Sequence, residues 1–122
     1  GAEVIEGGGT AADCPVLGGC HRADTGNISI FAGCERTTFE TILPLLIRMG
    51  RRVLHSGALG SASILKVITN YMATANLVSC TEALTVAKES GMDLNIAYEA
   101  MKISSGTSFV HETESQVILN GS

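Results

Sequence analysis

The sequence predicts an α/β layer followed by an all-α segment, and three observations point there. Up to about Gly57, β-branched runs alternate with Gly-rich turns; from Gly60 the apolar spacing becomes helical; and no Pro or Gly interrupts Ser61 to Ser90. The change of pattern divides the chain into residues 1–57 and residues 58–122. At 122 residues, 45% apolar and only 16% charged, the chain has enough apolar surface to bury a core. Its composition lies far from the low-hydrophobicity, high-charge corner of disorder. The length suits one domain, or one and a half.

The elements follow in order. Asn27 to Phe31 has the period-2 pattern of a strand, and Arg52 to His55 is a second. Between them Thr37-x-x-Glu40 reads as a capping box opening a helix, with Phe39, Ile42, Leu45, Leu46 and Met49 at helical spacing and Gly50 as the stop. Pro44 falls inside that helix, where it removes a backbone hydrogen bond, so a kink or a late start is expected. Strand, helix, strand in this order imply α/β layer packing. Ser61 to Ser90, closed by Gly91, predicts one helix of about 30 residues and about 45 Å. Its first part is apolar nearly all round, through Ile64, Leu65, Val67, Ile68, Tyr71, Met72, Leu77 and Val78, as in a helix buried between partners. Asp93 caps a shorter helix through Ala97, Ala100 and Met101, and Ser108 caps a third through Val110, Val117 and Leu119.

Composition excludes several classes of function. A net charge of −4, with only Arg51-Arg52 adjoining, offers no basic stripe for phosphates, so nucleic acid is not an expected partner. The longest uncharged stretch, Val67 to Thr81, carries Thr69, Asn70, Thr74, Asn76 and Ser79 and falls short of the roughly 20 apolar residues of a membrane span. No membrane partner is expected. Nothing at the N-terminus has the layout of a signal peptide. Cys14, Cys20, Cys34 and Cys80 lack C-x-x-C spacing and read as reduced thiols of a cytoplasmic protein. A zinc site from Cys14, Cys20, His21 and Cys34 would match no common ligand spacing, and no metal is expected.

Two constellations are able to carry chemistry. The first is Asp13-Cys14-Pro15-Val16-Leu17-Gly18-Gly19, followed by Ala23-x-x-Gly26. Paired glycines after a strand-like segment let the backbone turn sharply and present bare N–H groups to a carboxylate or phosphate. A plain Gly-rich turn explains the same residues. The second is Gly60, Lys66 and Asn70 at the start of the long helix, where residues four apart share a face. Lys66 is the only charge between Arg52 and Glu82. Such a lysine either reaches solvent along its aliphatic stem or sits in a closed site as a usable acid or base.

Taken together these motifs resemble the β-hydroxyacid dehydrogenases. The residues concerned are Asp13-Cys14-Pro15-Val16-x-Gly18-Gly19, Ala23-x-x-Gly26-Asn27-Ile28, Phe39-Glu40 with Pro44-Leu45-Leu46 and Met49-Gly50, and Gly57 through Gly60 to Lys66 and Asn70. The similarity runs from Ala11 onward, in order and spacing. It implies the C-terminal part of a Rossmann-like domain, then a long connecting helix and the start of an all-helical domain. It also implies hydride transfer between NAD or NADP and the alcohol carbon of a small hydroxy acid. On this resemblance Lys66 is the general acid/base on the substrate oxygen, Asn70 helps orient the substrate, and Leu17, Gly18 and Gly19 line the place of its carboxylate. A proton relay and an anion clamp are what such a reaction needs from protein, since the nicotinamide handles the hydride.

The sequence also departs from the family. Leu17 stands where members usually have Ser, which removes a hydroxyl donor to the carboxylate; Arg22 replaces a frequent Gly; and Ala62 replaces a glycine beside the cofactor. The G-x-G-x-x-G fingerprint and its distal acidic residue are absent, and Gly7-Gly8-Gly9 has neither the spacing nor a following helix. The chain therefore reads as an internal piece of such an enzyme, inactive by itself and expected to form a homo-oligomer. The alternative is a non-catalytic binding or assembly module built on the long apolar helix.

Overall fold

The computed structural model describes residues 2–18 and 25–121. They form two compact units, Gly1–Thr69 and Asn70–Ser122. The first holds a short helix α1 (Ala2–Glu6), three strands β1 (Val16–Leu17), β2 (Ser29–Gly33) and β3 (Arg52–Gly57), and the helix α2 (Arg36–Met49). The long helix α3 (Ser61–Glu89) begins in it and runs on into the second unit, where α4 (Leu94–Ile103) and α5 (Phe109–Leu119) follow. A small sheet followed by helices is the fold class expected.

The sheet order is β1-β2-β3. β2 and β3 run parallel, with Ile30 opposite Val53 and Ala32 opposite His55, and α2 makes the crossover between them. β1 pairs antiparallel with β2, Val16 opposite Ile30, and the isolated bridge Asp13 to Gly33 continues the same register. The core packs Ile30, Ala32 and Cys34 of the β2 region against Phe39 and Leu46 of α2. In the second unit Leu84 and Ala87 of α3 pack with Ala97 of α4, and Leu119 of α5 rests against them.

Two local expectations need correction. The strand expected over Asn27 to Phe31 is β2, which runs Ser29–Gly33, two residues later than its alternating pattern suggests, because Ala32 and Gly33 pair with β3 despite carrying little side chain. Thr37-x-x-Glu40 is not a capping box: α2 starts at Arg36, its N-cap Glu35 makes no side-chain cap bond, and Glu40 instead accepts from the Arg36 Nε at 3.3 Å. Pro44 lies inside α2 as expected, and of the two outcomes foreseen there the late start does not occur, since α2 runs Arg36–Met49. By contrast, α3 closes as expected at Gly91. There Gly91 has φ +78°, its N–H donates to the Lys88 carbonyl, and the Met92 N–H donates to that of Ala87. These two bonds make a Schellman cap, which needs the left-handed backbone that glycine adopts without penalty. The Asp93 and Ser108 caps form too, accepting from the N–H groups of Asn95 and His111.

Candidate functional site

The site lies in the first unit, where the 13–18 segment and the end of β2 meet the start of α3. Asp13 organises it. Its backbone exchanges two hydrogen bonds with Gly33, 3.0 Å from its own N–H and 2.8 Å to its carbonyl. Its carboxylate turns to α3: Oδ1 accepts from the Gly60 N–H at 2.8 Å, and Oδ2 accepts from the Ser63 N–H at 2.7 Å and the Ser63 hydroxyl at 2.8 Å. Those N–H groups belong to the helix start, which has no intrahelical partner for them and carries the positive end of the helix dipole. Burial acts to raise the Asp13 pKa, but the hydrogen bonds from Gly60 and Ser63 outweigh it and hold the carboxyl below its ordinary value.

This approach is possible only because residue 33 is glycine. A Cβ there would collide with the Asp13 carboxylate and come within 3.0 Å of the Ala62 nitrogen. Ala62 itself is fully buried.

Lys66 sits one turn further along α3, half-buried, and its Nζ donates to the Val16 carbonyl at 2.7 Å. Pro15, next in line, gives its carbonyl to the Phe31 N–H. Successive carbonyls of a strand point to opposite sides, so that of Val16 faces away from β2 on the free edge of the sheet. Lys66 thus covers an edge acceptor and stands beside Leu17 and Gly18, both half-buried, with Gly18 at φ +127°. An ammonium has three N–H donors, and among the described residues one of them has a partner here. Asn70 follows one turn later on α3, exposed, as the first residue of the second unit. Gly19 and Arg22, and Cys20 and His21 of the four-residue zinc set, lie outside the described residues. Among the described residues no group of three metal-ligating side chains occurs.

Other polar groups brace the same region. The Ser56 hydroxyl pairs with that of Ser61 at 2.8 Å and donates to the Ala32 carbonyl at 3.1 Å. His55 stacks on Phe39, ring centroids 4.6 Å apart, with Nε2 2.7 Å from the Cys34 carbonyl. Because a carbonyl only accepts, Nε2 carries the proton. Burial pushes the thiols of Cys14 and Cys34 up; Cys34 and Asp13 add to this at Cys14, and Asp13 at Cys34. These are poor nucleophiles.

Sequence reasoning missed two features. The role of Asp13 had no local signal, its partners lying 47 and 50 residues on. In the second unit His111 is fully buried, with Nε2 3.0 Å from the Tyr98 carbonyl and Nδ1 2.9 Å from the Ser115 hydroxyl. His111 and Ser115 are four apart on one helix, a spacing that was open to reading.

Comparison with known proteins gives the family. Residues 2–60 match the NAD binding domain of 6-phosphogluconate dehydrogenase, and residues 60–122 match the NAD-binding region of NADP-dependent 3-hydroxyisobutyrate dehydrogenase. The chain belongs to the β-hydroxyacid dehydrogenase family. Among its curated relatives, the family includes 2-(hydroxymethyl)glutarate dehydrogenase of Eubacterium barkeri, 31% identical over 84% of this chain. Mitochondrial 3-hydroxyisobutyrate dehydrogenase of Rattus norvegicus is 30% identical over 94%. The chain spans 34% of the length of each. A crystal structure of 3-hydroxyisobutyrate dehydrogenase from Salmonella typhimurium superposes with a TM-score of 0.85 at 24% identity, over 98% of this chain and 42% of that one, which establishes the shared fold. Among the described residues of this family member no helix is long and apolar enough to cross a membrane.

Proposed function

We propose that this chain is the substrate-binding and proton-relay part of an NAD- or NADP-dependent dehydrogenase of small β-hydroxy acids. The observation that carries the proposal is the 2.7 Å contact between Lys66 Nζ and the Val16 carbonyl, which holds an ammonium next to the Leu17-Gly18 turn. In the proposed reaction the Lys66 ammonium gives a proton to the substrate oxygen on reduction, and the neutral amine takes the hydroxyl proton as the alcohol is oxidised, while the backbone at Gly18 and Gly19 receives the substrate carboxylate. Asn70, one helical turn from Lys66, orients the substrate from the same helix. Leu17 offers no hydroxyl to that carboxylate, so the clamp relies on backbone donors.

The nicotinamide of NAD or NADP supplies or accepts the hydride. Its phosphates do not fit the residues described here. The chain has no G-x-G-x-x-G turn, and the Gly60 and Ser63 N–H groups at the start of α3 are already taken by Asp13. We accordingly take residues 1–57 as the end of a nucleotide-binding domain and residues 58–122 as the lysine-bearing helix with the start of a helical domain. The free thiols of Cys14, Cys34 and Cys80 suit a reducing compartment such as the cytoplasm.

The test is a spectrophotometric assay of the gene product carrying this chain, with NAD and with NADP, against 3-hydroxyisobutyrate, 2-(hydroxymethyl)glutarate and their α-hydroxy isomers. Reduction of either cofactor with a β-hydroxy acid and not with the α-hydroxy isomers is the expected result. No turnover on any β-hydroxy acid would sink the proposal.

A further inference from the structure

We infer that Asp13 is a positioning residue for Lys66, acting by clamping the first turn of the lysine-bearing helix to the strand that leads into the substrate turn. The inference rests on the reading of Lys66 as the acid/base. Two links join the same pair of segments. At one, the Asp13 carboxylate takes the N–H groups of Gly60 and Ser63 and the Ser63 hydroxyl; at the other, Lys66 Nζ donates to the Val16 carbonyl. Asp13 and Val16 are three residues apart on the extended segment, and Ser63 and Lys66 are three apart on the helix. The first link therefore fixes the register of the second.

Both ends of the clamp are held. Asp13 cannot swing, because its backbone is paired with Gly33 in both directions. The helix start cannot rotate about its axis without breaking bonds to both carboxylate oxygens. Gly33 completes the arrangement, since any side chain there would occupy the carboxylate's place and press on the Ala62 nitrogen. A neutral or absent side chain at residue 13 leaves α3 formed but frees its first turn to shift against the 13–18 segment. Displacement of a catalytic group by about 1 Å costs up to about 10²-fold in rate.

The experiment uses the gene product carrying this chain, at a temperature where circular dichroism shows every variant folded. Asp13→Asn is expected to lower kcat by about 10- to 100-fold. Gly33→Ala keeps the carboxylate but displaces it, and is expected to lower kcat in the same way. Asp93→Ala removes a comparable helix cap in the second unit, at a residue with no proposed role in the reaction, and should leave kcat unchanged. A second readout needs no turnover: brief labelling with acetic anhydride, with the modification of Lys66 measured against that of Lys102 by mass spectrometry. Asp13→Asn should raise that ratio at least about threefold as the ammonium leaves the Val16 carbonyl, an effect that a general loss of stability would not produce at one lysine. Either an unchanged kcat or an unchanged labelling ratio in Asp13→Asn overturns the inference. If Lys66→Met abolishes turnover in the same experiment, that failure belongs to the clamp alone; if Lys66→Met retains turnover, the acid/base reading fails and the clamp fails with it.

Discussion

Asp13 is a carboxylate whose ionised form the fold prefers. Burial acts against the charge, yet the N–H groups of Gly60 and Ser63 and the Ser63 hydroxyl more than compensate, so the folded-state pKa lies below the unfolded one of about 3.9. The sign of the linkage follows. The stabilisation is fully present above the unfolded value and is lost as the pH falls through the folded value, because the unfolded chain then binds the proton more readily. The urea midpoint should therefore drop as the pH falls below about 4, and the drop should be shallower in Asp13→Asn. A parallel acid profile for the two proteins would show that Asp13 is not the group responsible. Lys66 and Leu17 were legible in the sequence as isolated residues, one by its lone charge and the other by its place before a glycine. What no residue-level reading supplied was the carbonyl Lys66 rests on, because edge exposure at Val16 depends on which strand pairs with it.

At the scale of elements, the sequence was most informative where local chemistry decides the outcome. The Asp93 and Ser108 caps and the Gly91 stop use side chains and backbone within a few residues of the helix end, and all three form. It was least informative where a distant partner decides. The late start of β2 is set by the register with β3, and the long helix begins with its free N–H groups on Asp13, nearly fifty residues earlier. The expected Thr37-x-x-Glu40 box failed because α2 begins ahead of it, at Arg36. The local caps give a simple test: Asp93→Ala should destabilise the chain by about 1 kcal/mol in urea unfolding. A change under about 0.2 kcal/mol would mean that α4 is held by packing on Leu84 and Ala87 and not by its cap.

At the scale of the whole molecule, the long helix was expected to be buried between partners, but only part of its apolar surface is covered. Ile64, Met72 and Tyr71 are 64%, 58% and 74% exposed, whereas the buried positions are Ala62, Cys80, Leu84 and Ala87. Covering a leucine- or isoleucine-sized side chain is worth about 1.5–3 kcal/mol, and exposed apolar surface of this kind draws a protein partner. Self-association through Ile64, Ile68, Met72 and Leu77 is the expected outcome, with light scattering at about 100 μM giving at least a dimer mass; a monodisperse monomer with α3 protected in hydrogen exchange would contradict it. Replacing Lys66 tests its role without an intermediary. In the gene product carrying this chain, Lys66→Met keeps the length and removes the ammonium, and turnover of its β-hydroxy acid should fall by at least about 10²–10⁴-fold with the fold intact by circular dichroism. A folded Lys66→Met protein with near-normal turnover would reduce Lys66 to the cover of an edge carbonyl.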